Sequence, residues 1–241
     1  MNETFDILII GGGINGAGIV RDASGRNLKV CLVEKNTVGS ATSSWSTKLI
    51  HGGLRYLENY EFKLVAESLK EREVITQIAP SITKPLPFVI PHTKKLRSKL
   101  LIRLGLFLYD NLGGKTKIPK SSKVTFAKQY TNILQSKFTE GFQYYDVQVD
   151  DKKLVEMNID DAKKKGANVV EDTKVINANR IDNYWEITLN NNEKIKSKIL
   201  INAAGPWINE TVNNVLKINA KKSIRLVRGS HIITKKLYDE D

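Results

Sequence analysis

Residues Gly11-Gly12-Gly13-Ile14-Asn15-Gly16-Ala17-Gly18 constrain this chain more than any other stretch, because of what flanks them. Before them, Phe5 to Ile10 is apolar apart from Asp6 and short enough for a strand buried on both faces, as parallel sheets require. After them, Ile14 to Arg26 is helical in character, and Leu28 to Val33 reads as a second buried strand ending at Glu34, 18 residues beyond Gly16. Three glycines in a turn are a weak signal alone. Between a strand and a helix, with an acid closing the next strand, they form the βαβ fingerprint of an adenine dinucleotide site. Gly11 permits the tight turn, Gly13 lets a pyrophosphate approach the backbone, and Gly16 lets helix and strand pack closely. The helix N-terminus presents N–H groups and the positive end of its dipole to phosphates. Glu34 is placed to accept hydrogen bonds from ribose hydroxyls, and its charge disfavours a 2′-phosphate. The motif does not choose between FAD and NAD.

The remaining pattern alternates between α/β and more antiparallel segments. Residues 36–57 are rich in Ser, Thr and Gly and read as a long functional loop. Glu58 to Ile78 has a helical apolar period through Phe62, Val65, Leu69 and Ile75, closed by Pro80. Lys84 to Pro91 carries three prolines around an apolar centre and is expected as an extended edge segment. Lys94 to Leu112 reads as a helix with a basic start and an apolar side of Leu96, Leu100, Leu104, Phe107 and Leu108. Leu101, Ile102 and Leu106 widen that side, which favours a core helix over a lipid-facing one. Tyr144 to Val149 is a strand, and Asp150 or Asp151 caps a helix that Gly166 stops. Strands follow at Val169–Ala178, Trp185–Leu189, Lys194–Asn202 and Ser223–Thr234, with a short helix after Ala203-Ala204-Gly205-Pro206-Trp207. The expected fold class is α/β: a Rossmann-type βαβ domain interleaved with a mixed or antiparallel-sheet substrate domain. The division is 1–80 and 149–215 for the former, 81–148 and 216–241 for the latter.

Composition narrows the function classes. Lys plus Arg number 38 against 26 Asp plus Glu, a net charge of +12. The basic residues are scattered, without an aromatic stacking motif or recognition helix, which argues against nucleic acid. The one cysteine, Cys31, rules out an intramolecular disulfide and a thiolate metal cluster, and fits a reducing cytoplasmic compartment. No metal site is expected. Apolar runs are too short for a spanning helix, and the N-terminus enters a strand pattern without a cleavable leader.

The segment Ser40-Ala41-Thr42-Ser43-Ser44-Trp45-Ser46-Thr47-Lys48-Leu49-Ile50-His51-Gly52-Gly53-Leu54-Arg55-Tyr56-Leu57-Glu58 narrows the reading further. With Gly11–Gly18 and Glu34 it resembles the FAD-dependent, quinone-linked glycerol-3-phosphate dehydrogenases, a branch of the D-amino-acid-oxidase-like flavoproteins. Tyr60-Glu61-Phe62, Glu71-Arg72-Glu73, Arg103–Asp110, Val149-Asp150-Asp151, Asn202–Trp207 and Arg228-Gly229-Ser230-His231 resemble that family's landmarks in its order. The resemblance implies FAD as cofactor and oxidation of sn-glycerol 3-phosphate to dihydroxyacetone phosphate, with a hydride passing from C2 to flavin N5. It further implies electron delivery to a membrane quinone from the inner face of the cytoplasmic membrane, and it is compatible with a homo-oligomer. Family members continue well beyond residue 241, so the chain is expected to be a C-terminally truncated portion.

Such chemistry needs a base for the hydroxyl proton and cations for the phosphate. His51, followed by Gly52 and Gly53 where the backbone must come close to something, and His231, at the end of an alternating segment, are the candidate bases, and the choice between them stays open. Arg55 is the candidate phosphate contact because its planar fork binds oxygens bidentately. Tyr56 lines the same pocket or packs as an ordinary aromatic. Thr42, Ser43 and Ser44 resemble residues that wrap the FAD pyrophosphate and ribityl chain, Lys48 one near the flavin, and Val175 one whose backbone reads the adenine edge. Ala204 and Gly205 resemble small residues that let a strand end approach the dinucleotide. Gly11, Gly13, Gly16, Glu34, Ile14, Asn15, Lys35, Leu49 and His51 complete the cofactor set implied by the resemblance. Two rival readings are another flavin oxidase of the superfamily acting on an amino acid or 2-hydroxy acid, and a non-catalytic dinucleotide-binding remnant.

Overall fold

The computed structural model describes residues 4–93, 95–126, 134–219, 224–227 and 229–235. In chain order its main elements are β1 (Thr4–Ile10), α1 (Ile14–Gly25), β2 (Val30–Val33), β3 (Leu49–Ile50), α2 (Phe62–Ile78), β4 (Thr83–Pro91) and α3 (Lys99–Leu112). Then come β5 (Ser122–Thr125), β6 (Glu140–Val149), α4 (Asp151–Lys164), β7 (Asn168–Val170), β8 (Val175–Ile181), β9 (Tyr184–Leu189) and β10 (Lys194–Asn202). Contacts divide the chain into two interleaved units: Met1–Ser46 with Asp151–His231, and Thr47–Asp150 with Ile232–Asp241. The sequence division placed the first boundary after residue 80. The structure groups α2 with the second unit because Val65 and Leu69 pack with Tyr109 of α3.

The first unit is a six-stranded sheet in the order β7-β2-β1-β10-β9-β8. β1 pairs in parallel with β2 and β10, and β2 with β7, while β8 and β9 extend the sheet antiparallel. Both faces of the parallel strands are buried, which is why β1 and β2 read as apolar runs without alternation. On one face Ile9, Val30 and Leu32 pack with Ala17 and Val20 of α1 and with Val155 and Ile159 of α4. On the other, Leu8, Cys31 and Val33 meet Val175, Ile187, Leu189 and Ile195, together with Val215. Arg21 of α1 pairs with Asp161 of α4 at 2.7 Å. Gly166, at φ +86, stands just past α4 as its expected stop.

In the second unit β6 is central: β4 runs antiparallel along one side, and β3 and β5 pair on the other. β4 is an edge strand, as its prolines indicate. His92 donates its N–H to Glu140 O and Ile82 accepts from Asp150 N–H, so even-numbered positions face β6. Pro85, Pro87 and Pro91 are all odd, and the donors they lack would have pointed away from the sheet.

Five expectations change. Helix α2 begins at Phe62, not Glu58, because Tyr60 adopts φ +60 between it and a 3-10 turn over Leu54–Asn59. Helix α3 begins at Lys99, where the Ser98 side chain accepts the Leu101 N–H; Lys95 and Arg97 precede it and Lys94 lies outside the described residues. Its apolar side is not a core face: Leu100 is 80% exposed and Phe107 57%, whereas Leu106 and Tyr109 are buried. The expected strand Val169–Ala178 is two strands, broken where Asp172 takes φ +51 and donates its N–H to Asn36 O. Over the described part of 223–234 there is no strand, and Val227, Ile232 and Ile233 are exposed; alternation without a paired neighbour leaves the backbone unsatisfied. Ser223 itself lies outside the described residues. Among the described residues no helix is long and apolar enough to cross a membrane.

Candidate functional site

The glycine turn after β1 is shaped by close backbone approach. Gly11 has φ +109, and a Cβ there would lie 2.6 Å from the Ala203 carbonyl oxygen at the end of β10. A Cβ on Gly16 would lie 1.9 Å from the Gly11 carbonyl oxygen. These are positions where only glycine fits. Glu34, ending β2, accepts the Gly12 N–H at 2.6 Å through Oε2 and the Asn36 N–H at 3.0 Å through Oε1. Ser43 accepts the Ile14 N–H at 3.0 Å, standing at the N-terminus of α1 where the dipole is positive.

Around this turn the first unit opens a cleft with about 1100 Å³ of empty space, its open mouth included. Of the expected cofactor residues, Gly11, Gly13, Ile14, Asn15, Glu34, Lys35, Thr42, Ser43, Val175, Ala204 and Gly205 line it. Gly16 packs beneath the turn, and Ser44 turns its hydroxyl to Ala41 O at 3.0 Å. The lining also includes Thr37, Thr173, Trp207, Glu210 and Thr211, to which the sequence reading gave no role. Trp207 had a signal, standing at the end of the Ala203–Trp207 landmark. Lys35 Nζ sits 3.9 Å from its ring centroid, a cation–π contact that fixes both side chains at the wall.

Lys48, Leu49, His51, Arg55 and Tyr56 belong to the second unit. Lys48 has φ +55 and Gly53 φ +74, so the segment turns sharply on both sides of β3. His51, Arg55 and Tyr56 are exposed on it, and Arg55 has no ion pair among the described residues. A Cβ on Gly53 would meet the Tyr56 ring at 2.3 Å. Beneath lies a buried polar cluster. Asp146 Oδ1 accepts from Arg72 Nη1 at 3.0 Å and from the Tyr109 hydroxyl at 2.6 Å, and Tyr109 accepts the Gly52 N–H at 2.7 Å. Burial and the Asp146 carboxylate both push the Tyr109 phenol well above its ordinary pKa, so it remains a donor to that carboxylate. His231 is exposed at the end of the first unit, and Arg228 lies outside the described residues.

The sequence profile of the FAD dependent oxidoreductases matches residues 6–241. A glycerol-3-phosphate dehydrogenase of Pseudomonas tolaasii is 46% identical over 98% of this chain and 47% of its own length. A D-erythritol 1-phosphate dehydrogenase of Brucella abortus is also 46% identical, over 98% of this chain and 48% of its own length. The chain thus spans about half the length of these relatives. Among solved structures, the glycerol-3-phosphate dehydrogenase of Bacillus halodurans complexed with FAD superposes with a TM-score of 0.60 at 26% identity, over 88% of this chain and 36% of that one. By the profile match over nearly its whole length, this chain is a member of the FAD-dependent oxidoreductase family.

Proposed function

We propose that this chain carries the dinucleotide site and part of the substrate site of an enzyme that oxidises sn-glycerol 3-phosphate to dihydroxyacetone phosphate. The observation that carries the reading is the 46% identity to a glycerol-3-phosphate dehydrogenase across 98% of the chain. FAD fits the residues present, because Gly11, Gly12 and Gly13 line the cleft at the positive N-terminus of α1 without side chains to fill it, and because the Glu34 carboxylate lines it beside them, where the proposed ribose contact would form. Gly11, Gly13, Ile14 and Asn15 would receive the pyrophosphate, Thr42 and Ser43 its flank, and Val175 the adenine edge. Bound FAD supplies a two-electron acceptor for the hydride leaving C2.

The protein's own part is binding and proton transfer. Arg55, unpaired among the described residues and exposed, is proposed to clamp the substrate phosphate, with Tyr56 beside it. His51 or His231 is proposed to take the hydroxyl proton as C2 is oxidised; a neutral imidazole nitrogen is the acceptor. Lys48 and Leu49 are proposed as flavin neighbours.

Quinone as electron acceptor, the substrate domain over 81–148, and attachment to the inner face of the cytoplasmic membrane belong to the same proposal, as does a homo-oligomer. For the membrane, the supporting feature is α3, whose Leu100, Leu101, Leu104 and Phe107 are exposed close to Lys95, Arg97 and Lys99. Exposed apolar side chains beside cations suit an anionic lipid surface.

The decisive experiment is anaerobic mixing of the FAD-loaded protein with candidate substrates. Bleaching of the flavin absorbance by glycerol 3-phosphate, and not by lactate or D-alanine, supports the reading; the opposite order overturns it. A second reading, a D-erythritol 1-phosphate dehydrogenase, is favoured by the equal identity to the Brucella protein. Faster bleaching by D-erythritol 1-phosphate would select it.

A further inference from the structure

The second unit holds a charged cluster for which neither binding nor catalysis has been given a use. Arg72 of α2, Tyr109 of α3 and Asp146 of β6 are 5%, 2% and 4% exposed. Burying an ion pair is no efficient route to stability, since an apolar group of similar volume serves as well or better. The cluster converges instead on one main-chain group. Gly52 donates its N–H to the Tyr109 hydroxyl at 2.7 Å, with Asp146 Oδ1 at 3.4 Å. Tyr109 and Asp146 are bonded to one another, and Arg72 Nη1 ties Asp146 to the Tyr145 carbonyl at 3.1 Å.

The sheet register brings that group there. Leu49 pairs with Gln148 and Ile50 with Val147, so the next step along β3 sets His51 level with Asp146. β3 ends after Ile50, and beyond it the Gly52 N–H continues the attachment through side chains. Gly52 is held on its other side too: a Cβ there would meet Leu69 Cδ2 at 2.3 Å and the Tyr109 hydroxyl at 2.8 Å. The Tyr109 ring is set edge-on to Tyr144 at 6.0 Å, which fixes where its hydroxyl stands.

We propose that Tyr109, Asp146 and Arg72 are positioning residues that lock the turn carrying His51 by capturing the Gly52 N–H. They touch no substrate; they act through the backbone on the orientation of the imidazole. The inference rests on the reading of His51 as the group that takes the substrate proton.

The test is Tyr109→Phe in the FAD-loaded protein, which keeps the ring and removes the hydroxyl. The Gly52 amide is expected to exchange its hydrogen roughly ten-fold faster, while β4–β6 amides stay protected. kcat is expected to fall by about a hundred-fold with KM and FAD content little changed, as misplacement of a reacting group does. Unchanged Gly52 exchange overturns the proposal, as does faster exchange with unchanged kcat. His51→Gln separates this from failure of the reading beneath it: if that variant keeps full kcat, His51 is not the base, whatever Tyr109→Phe does. If Tyr109→Phe does not fold, Asp146→Asn is read by the same two measurements, and failure of both variants to fold marks the cluster as structural and overturns the positioning role.

Discussion

The Glu34 carboxylate is bonded to the Gly12 N–H at 2.6 Å, so the acid that ends β2 props the glycine turn after β1. Glu34→Ala is expected to remove this prop together with the proposed ribose contact. Losing hydrogen bonds to a charged group costs about 2 kcal/mol, or roughly thirty-fold in FAD affinity. Titration by flavin fluorescence measures it, and an unchanged dissociation constant refutes the assignment.

Gly16 is under a stricter constraint. With a Cβ placed 1.9 Å from the Gly11 carbonyl oxygen, Gly16→Ala must push the turn away from α1. Overpacking of this kind is expected to destabilise the first unit by about 3 kcal/mol or more. The checks are the thermal midpoint and the flavin retained after gel filtration, both of which should drop.

Arg55→Ala bears on substrate and not on cofactor. The expected result is a KM for glycerol 3-phosphate raised roughly thirty-fold, the equivalent of about 2 kcal/mol for a charge-assisted bond, with FAD affinity unchanged. A KM equal to that of the parent removes Arg55 from the phosphate site.

Glu140 gives a pH test away from the cleft. Lys123 and Lys99 hydrogen-bond its carboxylate and hold its pKa at about 2, down from 4.5. The group binds protons more weakly when folded, so its contribution is fully present above pH 4.5 and is lost as pH falls from 4.5 towards 2. Lys123→Met should move the Glu140 carbonyl titration, followed by NMR, back towards 4.5 and shift acid unfolding to higher pH.

Membrane attachment through α3 predicts that Leu100→Asp, at a position 80% exposed, weakens sedimentation with phosphatidylglycerol vesicles by roughly ten-fold without altering FAD binding. Equal binding of parent and variant would move the attachment elsewhere.

Much of the first unit was legible in residue order because its determinants are local. Two buried strands, a glycine turn and an acid at fixed spacing suffice; in the second unit, the three prolines of β4 likewise mark an edge segment from local sequence. What escaped depends on distance. Arg72 and Tyr109 stood only inside runs that resemble the family's landmarks, and Asp146 had no signal; their meeting at Gly52 spans separations of 57 and 94 residues and follows from tertiary packing. The apolar side of α3 was misjudged because periodicity shows that a face exists and not what covers it. The break at Asp172 is a single left-handed residue in an otherwise strand-like run.

The parallel pairing of β1 with β10 matches Thr4 to Lys196 and Ile10 to Asn202. During synthesis the first strand therefore has no partner on that side until some 190 residues have followed it, a wait of roughly 10–40 seconds at about 5–20 residues per second. Residues 47–150, by contrast, emerge as one uninterrupted stretch. Until β10 emerges, β1 keeps one edge open and the glycine turn lacks the Ala203 carbonyl that backs Gly11, so residues 47–150 leave the ribosome before the first sheet can close on that side.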